Sequence, residues 1–134
     1  MSLKILIVDD EIHLRTLLHQ TLEELEDEGV ELHVATNGEE ALAAIQALQP
    51  NLVVLDVMMP KLSGFDVCER TKKGLGLSNV YIVLLTAKGQ EFDRQRGVEV
   101  GADLYMTKPF DPDELLRRAR EVLGLAHGQG SGAA

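Results

Sequence analysis

The sequence predicts an α/β fold with a parallel sheet and helices on both of its faces. Five predicted strands, most of them short apolar runs that end in a polar residue, alternate with helical stripes of apolar residues. An uninterrupted apolar run indicates a strand buried on both faces, which is typical of parallel sheets. The length of 134 residues fits one domain. We place this domain at residues 1–124 and a flexible, Gly/Ser/Ala-rich tail at residues 125–134.

The first half of the chain predicts three strands and two helices. Leu3–Val8 is the first apolar run, Glu31–Thr36 alternates weakly and predicts an edge strand, and Leu52–Leu55 is a third run. The first helix is indicated by a stripe with a stop signal at Gly29; the stripe comprises Leu14, Leu17, Leu18, Leu22 and Leu25. The second helix is predicted to start at Asn37 with Glu40 as a capping box, and Pro50 follows its apolar stripe.

The second half predicts two more strands and three helices. A helix over Phe65–Lys73 ends at Gly74, and a shorter charged helix covers Gln90–Val98. Asp111 as N-cap followed by Pro112 is a strong start for the last helix, which Gly124 ends. The fourth and fifth strands are predicted at Val80–Leu85 and Asp103–Thr107.

Composition excludes several classes of function. With 13 Lys+Arg and 22 Asp+Glu the net charge is −9, which is unfavourable for direct contact with nucleic acid or an anionic membrane. One cysteine, Cys68, excludes an internal disulfide and a Cys-based zinc site. No apolar stretch approaches the roughly 18–20 residues that span a membrane. The simplest setting for such a chain is the cytoplasm.

Polar residues directly follow four of the five predicted strands. They are Asp9 and Asp10, Asp56, Thr86 and Lys108. Because the carboxyl ends of parallel strands form one rim, where ligands bind, we expect these side chains to meet. Three carboxylates need a counter-charge, and Mg²⁺ takes such oxygen ligands while leaving room for phosphate. Three aspartates, one lysine and one Mg²⁺ sum to zero, and a carboxylate in such a site can act as a nucleophile that forms an acyl phosphate.

Each residue taken alone has a simpler interpretation. An Asp after a strand is more often a turn residue or a helix N-cap, and Asp9 or Asp10 fits a cap of the first helix. The joint pattern at four strand ends favours a site over four independent turns.

The motifs at these strand ends resemble the receiver domain of two-component response regulators. The resemblance covers about residues 3–124 and rests on four stretches: Ile5-Leu6-Ile7-Val8-Asp9-Asp10-Glu11, Leu55-Asp56-Val57-Met58-Met59-Pro60, Leu85-Thr86-Ala87 and Thr107-Lys108-Pro109-Phe110. It implies a flavodoxin-like, doubly wound, five-stranded parallel sheet of order 2-1-3-4-5. It also implies a switch that assists its own phosphorylation and dephosphorylation and is not an enzyme acting on an external substrate.

The resemblance implies a role for each site residue. Asp56 would accept the phosphoryl group. Mg²⁺ would be bound by Asp9, Asp10, Asp56 and the backbone carbonyl of Met58. Thr86 and Lys108 would hold the phosphoryl group.

The resemblance also implies a switch and its partners. Tyr105 matches an aromatic switch position, beside which the small Ala87 leaves room, and Lys108-Pro109 is expected to be a cis peptide. The implied partner is a sensor histidine kinase or a histidine phosphotransfer protein. A phosphorylation-dependent homodimer stays open, since Leu104 stands where many receivers carry an Asp that helps form a dimer salt bridge. Met58 and Lys88 would flank the path of the attacking water, and the apolar Met58 predicts slow dephosphorylation.

Two other classes remain as alternatives. A Mg²⁺-dependent phosphohydrolase with an Asp nucleophile normally needs a general acid two residues later, where Met58 cannot serve. A flavin-binding module on the same fold would need a phosphate loop after the first strand, where Asp9-Asp10-Glu11 would repel phosphate. A P-loop nucleotidase is excluded because no G-x-x-x-x-G-K-[ST] motif is present.

Overall fold

A computed structural model of the protein describes residues 2–87 and 91–125. Its five strands form one parallel sheet of order β2-β1-β3-β4-β5, which confirms the predicted topology. In chain order, the elements are β1 Leu3–Val8, α1 Ile12–Leu22, a 3-10 segment Glu23–Glu28, β2 Val30–Ala35, α2 Gly38–Leu48, β3 Leu52–Asp56, α3 Gly64–Glu69, a π-helical turn Arg70–Gly74, β4 Tyr81–Ala87, α4 Glu91–Glu99, β5 Leu104–Lys108 and α5 Pro112–Leu123.

The core consists of two apolar layers, one on each face of the sheet. Along β1, Ile5 and Ile7 belong to one layer and Leu6 and Val8 to the other, as the two-residue period of a strand requires. The first layer is completed by α1 and α5, and the second by α2, α3 and Val100 after α4. Because both faces are covered, the central strands are apolar without alternation.

Several predicted boundaries are displaced by one or two residues. Strand β2 begins and ends one residue earlier than predicted, and β4 extends through Thr86 to Ala87. The helix predicted over Phe65–Lys73 is α-helical only to Glu69 and then widens into the π-helical turn. The beginning of the predicted helix Gln90–Val98 falls at residue 90, which lies outside the described residues.

One predicted core position is wrong. Leu17 was expected in the buried stripe of α1, yet 44% of it is exposed. The buried stripe of α1 and the 3-10 segment that follows it contains Leu18, Leu22 and Leu25. Leu17 is rotated about 100° from Leu18 and about 140° from Leu22, which places it at the edge of the buried stripe and not at its centre.

The predicted N-cap residues of α2 and α5 are confirmed, but the capping box at α2 is only half formed, because the Glu40 side chain accepts from Thr36 and not from the Asn37 N–H. The Asn37 side chain accepts from the Glu40 backbone N–H, and the Asp111 side chain accepts from that of Asp113. At α1, however, the N-cap is Glu11, whose side chain accepts from the His13 backbone N–H. Neither Asp9 nor Asp10 therefore caps α1. The Asp9 side chain instead accepts from the Glu11 N–H.

Within the described residues no helix is long and apolar enough to cross a membrane.

Candidate functional site

Three acidic side chains meet at the carboxyl-end rim of the sheet. One carboxylate oxygen from each of Asp9, Asp10 and Asp56 lies within 4.8 Å of the others. Asp9 and Asp56 are buried, whereas Asp10 is exposed. The predicted convergence of β1 and β3 residues is therefore present in the described part of the chain.

Backbone contacts on both sides fix the end of β3. Asp56 is in register with Leu85 of β4, whose carbonyl oxygen accepts from the Val57 N–H at 2.9 Å. Gly64, the first residue of α3, lies so close to the Asp56 carbonyl that a Cβ at position 64 would collide with it. The Met58 N–H donates to Asp56 Oδ1 at 3.3 Å. The start of α3 is therefore packed directly on the strand end that presents Asp56.

Asp9 has one satisfied and one unsatisfied carboxylate oxygen. Its Oδ1 accepts from the Glu11 N–H at 2.8 Å, while its Oδ2 is buried without a hydrogen-bond partner. Burial raises the pKa of Asp9 to about 7, opposed by the Glu11 hydrogen bond and reinforced by the negative charge of Asp56. A buried oxygen without a donor, beside like charge, is a place where a cation would be favourable.

The predicted lysine and threonine lie on the neighbouring strands. Lys108 Nζ is 2.9 Å from Asp56 Oδ1, which makes an ion pair with the buried carboxylate. Thr86 is buried and lies one position beyond Leu85, the residue in register with Asp56. Thr86 is also in register with Thr107, next to Lys108. The sheet thus places the hydroxyl-bearing residue and the ammonium on the side of Asp56 facing away from β1.

The residues of the predicted switch lie along β4 and β5. Tyr105 is partly buried and in register with Leu84, and its ring lies against Gly97 of α4, where a Cβ would approach Tyr105 Cδ2 to 3.1 Å. Ala87 is exposed at the end of β4, in register with Lys108. The Lys108-Pro109 peptide is cis, as expected. Lys88 lies outside the described residues.

The donor set fits a hard divalent cation. Three carboxylates with one orphaned buried oxygen provide oxygen ligands of the kind that Mg²⁺ uses. Asp9, Asp10 and Asp56 could therefore hold a metal ion.

Two contributors to the site were not among the predicted site residues. Glu11 supplies both the α1 cap and the N–H that orients Asp9. Arg15 Nη1 donates to the Asp9 carbonyl oxygen at 2.9 Å. An arginine six residues after an aspartate is an ordinary helix surface residue by sequence, so only the fold reveals this contact.

A family model and curated relatives agree on the class of protein. The model of the response regulator receiver domain matches residues 5–120. The protein named "Probable transcriptional regulator ycf27" in Cyanophora paradoxa is 50% identical over 120 residues, which are 90% of this chain and 48% of that protein. The alkaline phosphatase synthesis transcriptional regulatory protein PhoP of Bacillus subtilis is 46% identical over 123 residues, 92% of this chain and 49% of that protein. The chain thus spans about half the length of these relatives.

Solved structures show the same fold. The Vibrio cholerae chemotaxis protein CheY4 superimposes with a TM-score of 0.78 at 33% identity, covering 91% of this chain and 99% of that one. The receiver domain of the Francisella response regulator 1452 gives a TM-score of 0.80 at 30% identity, covering 92% and 98%. Motifs, sheet order, acidic rim and family model agree, and the chain belongs to the receiver domain family of two-component response regulators.

Proposed function

We propose that the protein is a phosphorylation-activated switch in which Asp56 accepts a phosphoryl group from a sensor histidine kinase or a histidine phosphotransfer protein. The observation that carries this proposal is the environment of Asp56. Its carboxylate is buried, pairs with Lys108 at 2.9 Å, and belongs to a three-acid cluster in which Asp9 Oδ2 has no hydrogen-bond partner. The prediction that the chain does not turn over an external substrate accompanies this proposal.

The reaction is a nucleophilic displacement at phosphorus. A carboxylate oxygen of Asp56 forms a bond to phosphorus, the bond from phosphorus to the donor imidazole breaks, and its electron pair returns to the ring nitrogen. The product is an acyl phosphate on Asp56. Asp9, Asp10, Asp56 and the Met58 backbone carbonyl would hold Mg²⁺, which supplies Lewis-acid stabilisation of phosphoryl charge when bound.

Lys108 and Thr86 would bind the product. Lys108 already contacts Asp56 Oδ1, so its ammonium is within reach of oxygens added at that carboxylate. The hydroxyl of Thr86, one position beyond the level of Asp56 on β4, would donate to another phosphoryl oxygen. Movement of Thr86 would let the partly buried Tyr105 turn further inward beside Ala87. Phosphorylation would thereby alter the face formed by α4, β5 and α5.

The output would depend on a longer protein or on a partner. Both relatives described above are named as transcriptional regulators and are about twice as long as this chain. We propose that this domain controls a transcriptional output in the same way, without contacting nucleic acid itself, in the cytoplasm. A phosphorylation-dependent homodimer is part of this proposal, and a salt bridge from position 104 would be absent from it because that residue is leucine.

Phosphoryl labelling of intact protein tests the function. Incubation with acetyl phosphate and MgCl₂ should add the mass of a single phosphoryl group. The Asp56→Asn variant should add none, since an amide cannot form the acyl phosphate, while Asp27→Asn, which changes an exposed acid of the 3-10 segment, should label like the parent. An unlabelled parent, or a fully labelled Asp56→Asn variant, would contradict the proposal.

The lifetime of the acyl phosphate is a second, finer part of the proposal. Met58 is 67% exposed beside Asp56 and has no polar group to orient an attacking water. We therefore expect slow loss of the phosphoryl group and a faster loss in Met58→Asn, measured as decay of the added mass after removal of acetyl phosphate. An unchanged or slower decay in Met58→Asn would rule out this role of Met58.

A further inference from the structure

Arg15 of α1 reaches back to the strand end that carries the acidic pair. Its Nη1 donates a hydrogen bond to the Asp9 backbone carbonyl oxygen at 2.9 Å, across six residues of sequence. The side chain is half-buried, and its own backbone N–H is engaged with the Glu11 carbonyl at 3.1 Å. Arg15 therefore closes the β1–α1 turn from the helix side.

The choice of acceptor atom is informative. Asp9 Oδ1 is oriented by the Glu11 N–H, and Asp9 Oδ2 is the buried oxygen without a partner. Arg15 donates to the Asp9 backbone carbonyl and to neither carboxylate oxygen. Oδ1 therefore keeps its bond to the Glu11 N–H, and Oδ2 stays without a partner. A guanidinium bound to the carboxylate itself would instead compete with a cation for the same ligand atoms.

The turn that carries Asp9 is also hydrogen-bonded to the end of β2. The Asp9 N–H donates to the Ala35 carbonyl at 3.3 Å, and next to it Glu40 Oε1 accepts from the backbone N–H and the hydroxyl of Thr36, each at 2.8 Å. The two Thr36 hydrogen bonds and the positive charge of Arg15 lower the pKa of Glu40. The charge of Arg15 therefore acts on a carboxylate that is hydrogen-bonded at the end of β2, while its hydrogen bond goes to the Asp9 carbonyl.

We propose that Arg15 is a positioning residue for the cation site, acting by holding the Asp9 backbone so that Asp9 Oδ2 faces the site. This inference rests on the function proposed above. Its contribution is the hydrogen bond and not the charge, because a fixed positive charge near a cation site weakens cation binding. The two contributions therefore predict opposite results when Arg15 is replaced.

The decisive variant is Arg15→Met, which keeps the length of the side chain and removes the donor. Loss of a partner that orients a metal ligand typically weakens metal affinity by 10-fold or more, so we expect a Mg²⁺ Kd roughly tenfold higher. Arg15→Lys, which keeps a donor at the end of a long chain, should restore most of the affinity. The matched control is Arg117→Met, on the exposed surface of α5, where Arg117 pairs with Glu121.

The measurement is a ¹H–¹⁵N NMR titration of the full chain with MgCl₂. It follows the amides of Glu11 and Met58, whose N–H groups donate to the Asp9 and Asp56 carboxylates. Urea unfolding without Mg²⁺ is measured in parallel. A purely structural role of Arg15 would change the free energy of unfolding and leave the Mg²⁺ Kd unaltered.

An unchanged or tighter Mg²⁺ Kd in Arg15→Met would overturn the proposal. If Arg15→Met does not fold, Arg15→Gln is measured instead. Glutamine is a good helix former, and its amide is too short to reach the Asp9 carbonyl. An unchanged Mg²⁺ Kd in Arg15→Gln would overturn the proposal as well. If the amides of the parent protein did not respond to MgCl₂, the result would contradict the cation site itself and therefore the proposed function.

Discussion

Two clusters of ionisable side chains lie against the core, and they differ in how their charges are matched. In the acidic cluster, Asp9, Asp10 and Asp56 face one ammonium, that of Lys108. In the second cluster, Arg120 of α5 is 7% exposed and binds two carboxylates of the 3-10 segment. Its Nη2 lies 2.9 Å from Glu24 Oε2 and 2.6 Å from Glu28 Oε2, and its Nη1 lies 3.0 Å from Glu28 Oε1.

The direction of the pKa shifts distinguishes the two clusters. Hydrogen bonds from Arg120 lower the pKa of Glu28, and those to Glu28 and Glu24 raise the pKa of Arg120, so each ion stabilises its partners. In the acidic cluster, burial raises the pKa of Asp9 to about 7, so its ionised form is disfavoured. The Arg120 cluster is balanced by its own ion pairs, whereas the acidic cluster retains an unpartnered buried oxygen and would be stabilised by a further cation.

The largest expected effect that tests this difference between the clusters is the pH dependence of Mg²⁺ binding. A proton on Asp9 competes with the cation below the pKa of about 7, and above that value the competition disappears. Because Asp9 is already half protonated at pH 7, the Mg²⁺ Kd should rise roughly 50-fold between pH 7 and pH 5, approaching about tenfold per pH unit at the acidic end. An NMR titration with MgCl₂ at several pH values measures it, and a constant Kd over that range would contradict the assignment of Asp9 as the protonated ligand.

Replacement of the buried guanidinium should have the next largest effect. Arg120→Met removes the charge-assisted hydrogen bonds to Glu24 and Glu28, and we expect the free energy of unfolding to fall by about 2 kcal/mol. Urea unfolding provides the measurement, without any change in Mg²⁺ affinity. Arg117→Met, which loses only an exposed pair with Glu121, should change stability by less than about 0.5 kcal/mol. Equal losses in the two variants would show that burial does not distinguish these arginines.

The smallest effect concerns the acidic cluster and has the opposite sign. The folded pKa of Asp9 lies above its unfolded value of 3.8, so the folded state binds the proton more tightly. Without Mg²⁺, stability should therefore fall as pH rises from about 4 to about 7 and stay level above that. Asp9→Asn removes the ionisation and should stabilise the metal-free protein above pH 7, with the gain fading towards pH 4.

Urea unfolding at pH 5 and pH 8 without Mg²⁺ measures this gain. Asp27→Asn, an exposed acid outside the cluster, is the control and should show no such pH-dependent gain. If Asp9→Asn destabilised the protein at pH 8, the ionised Asp9 would be stabilising, as the ions of the Arg120 cluster are. This result would contradict the difference between the two clusters.

Much of the fold was predictable because its signals are local or periodic. The apolar runs of β1 and β3 could only be strands covered on both faces, and their terminal acids predicted the rim. The start of α5 at Asp111-Pro112 and its end at Gly124 follow from single residues with known terminal preferences. Topology and site roles needed the resemblance carried by the strand-end motifs, since order along the chain does not determine order in the sheet.

Other features could not be predicted because they depend on contacts between distant segments. The choice of Glu11 and not Asp9 or Asp10 as the cap of α1 depends on how the turn leaves β1. The exposure of Leu17 depends on the rotation of α1 against the sheet. The pairing of Arg120 with Glu24 and Glu28 joins residues more than 90 positions apart.

The sequence by itself determined the element types, the alternation that makes a parallel sheet, and the residue types at each strand end, because these are properties of short segments. Tertiary structure decided which of those residues meet, which oxygen of Asp9 is left without a donor, and that Arg15 holds the Asp9 carbonyl. The physical reason is that hydrogen-bond satisfaction and desolvation are set by all neighbours in space, and neighbours from different strands and helices are not encoded in any one stretch of chain.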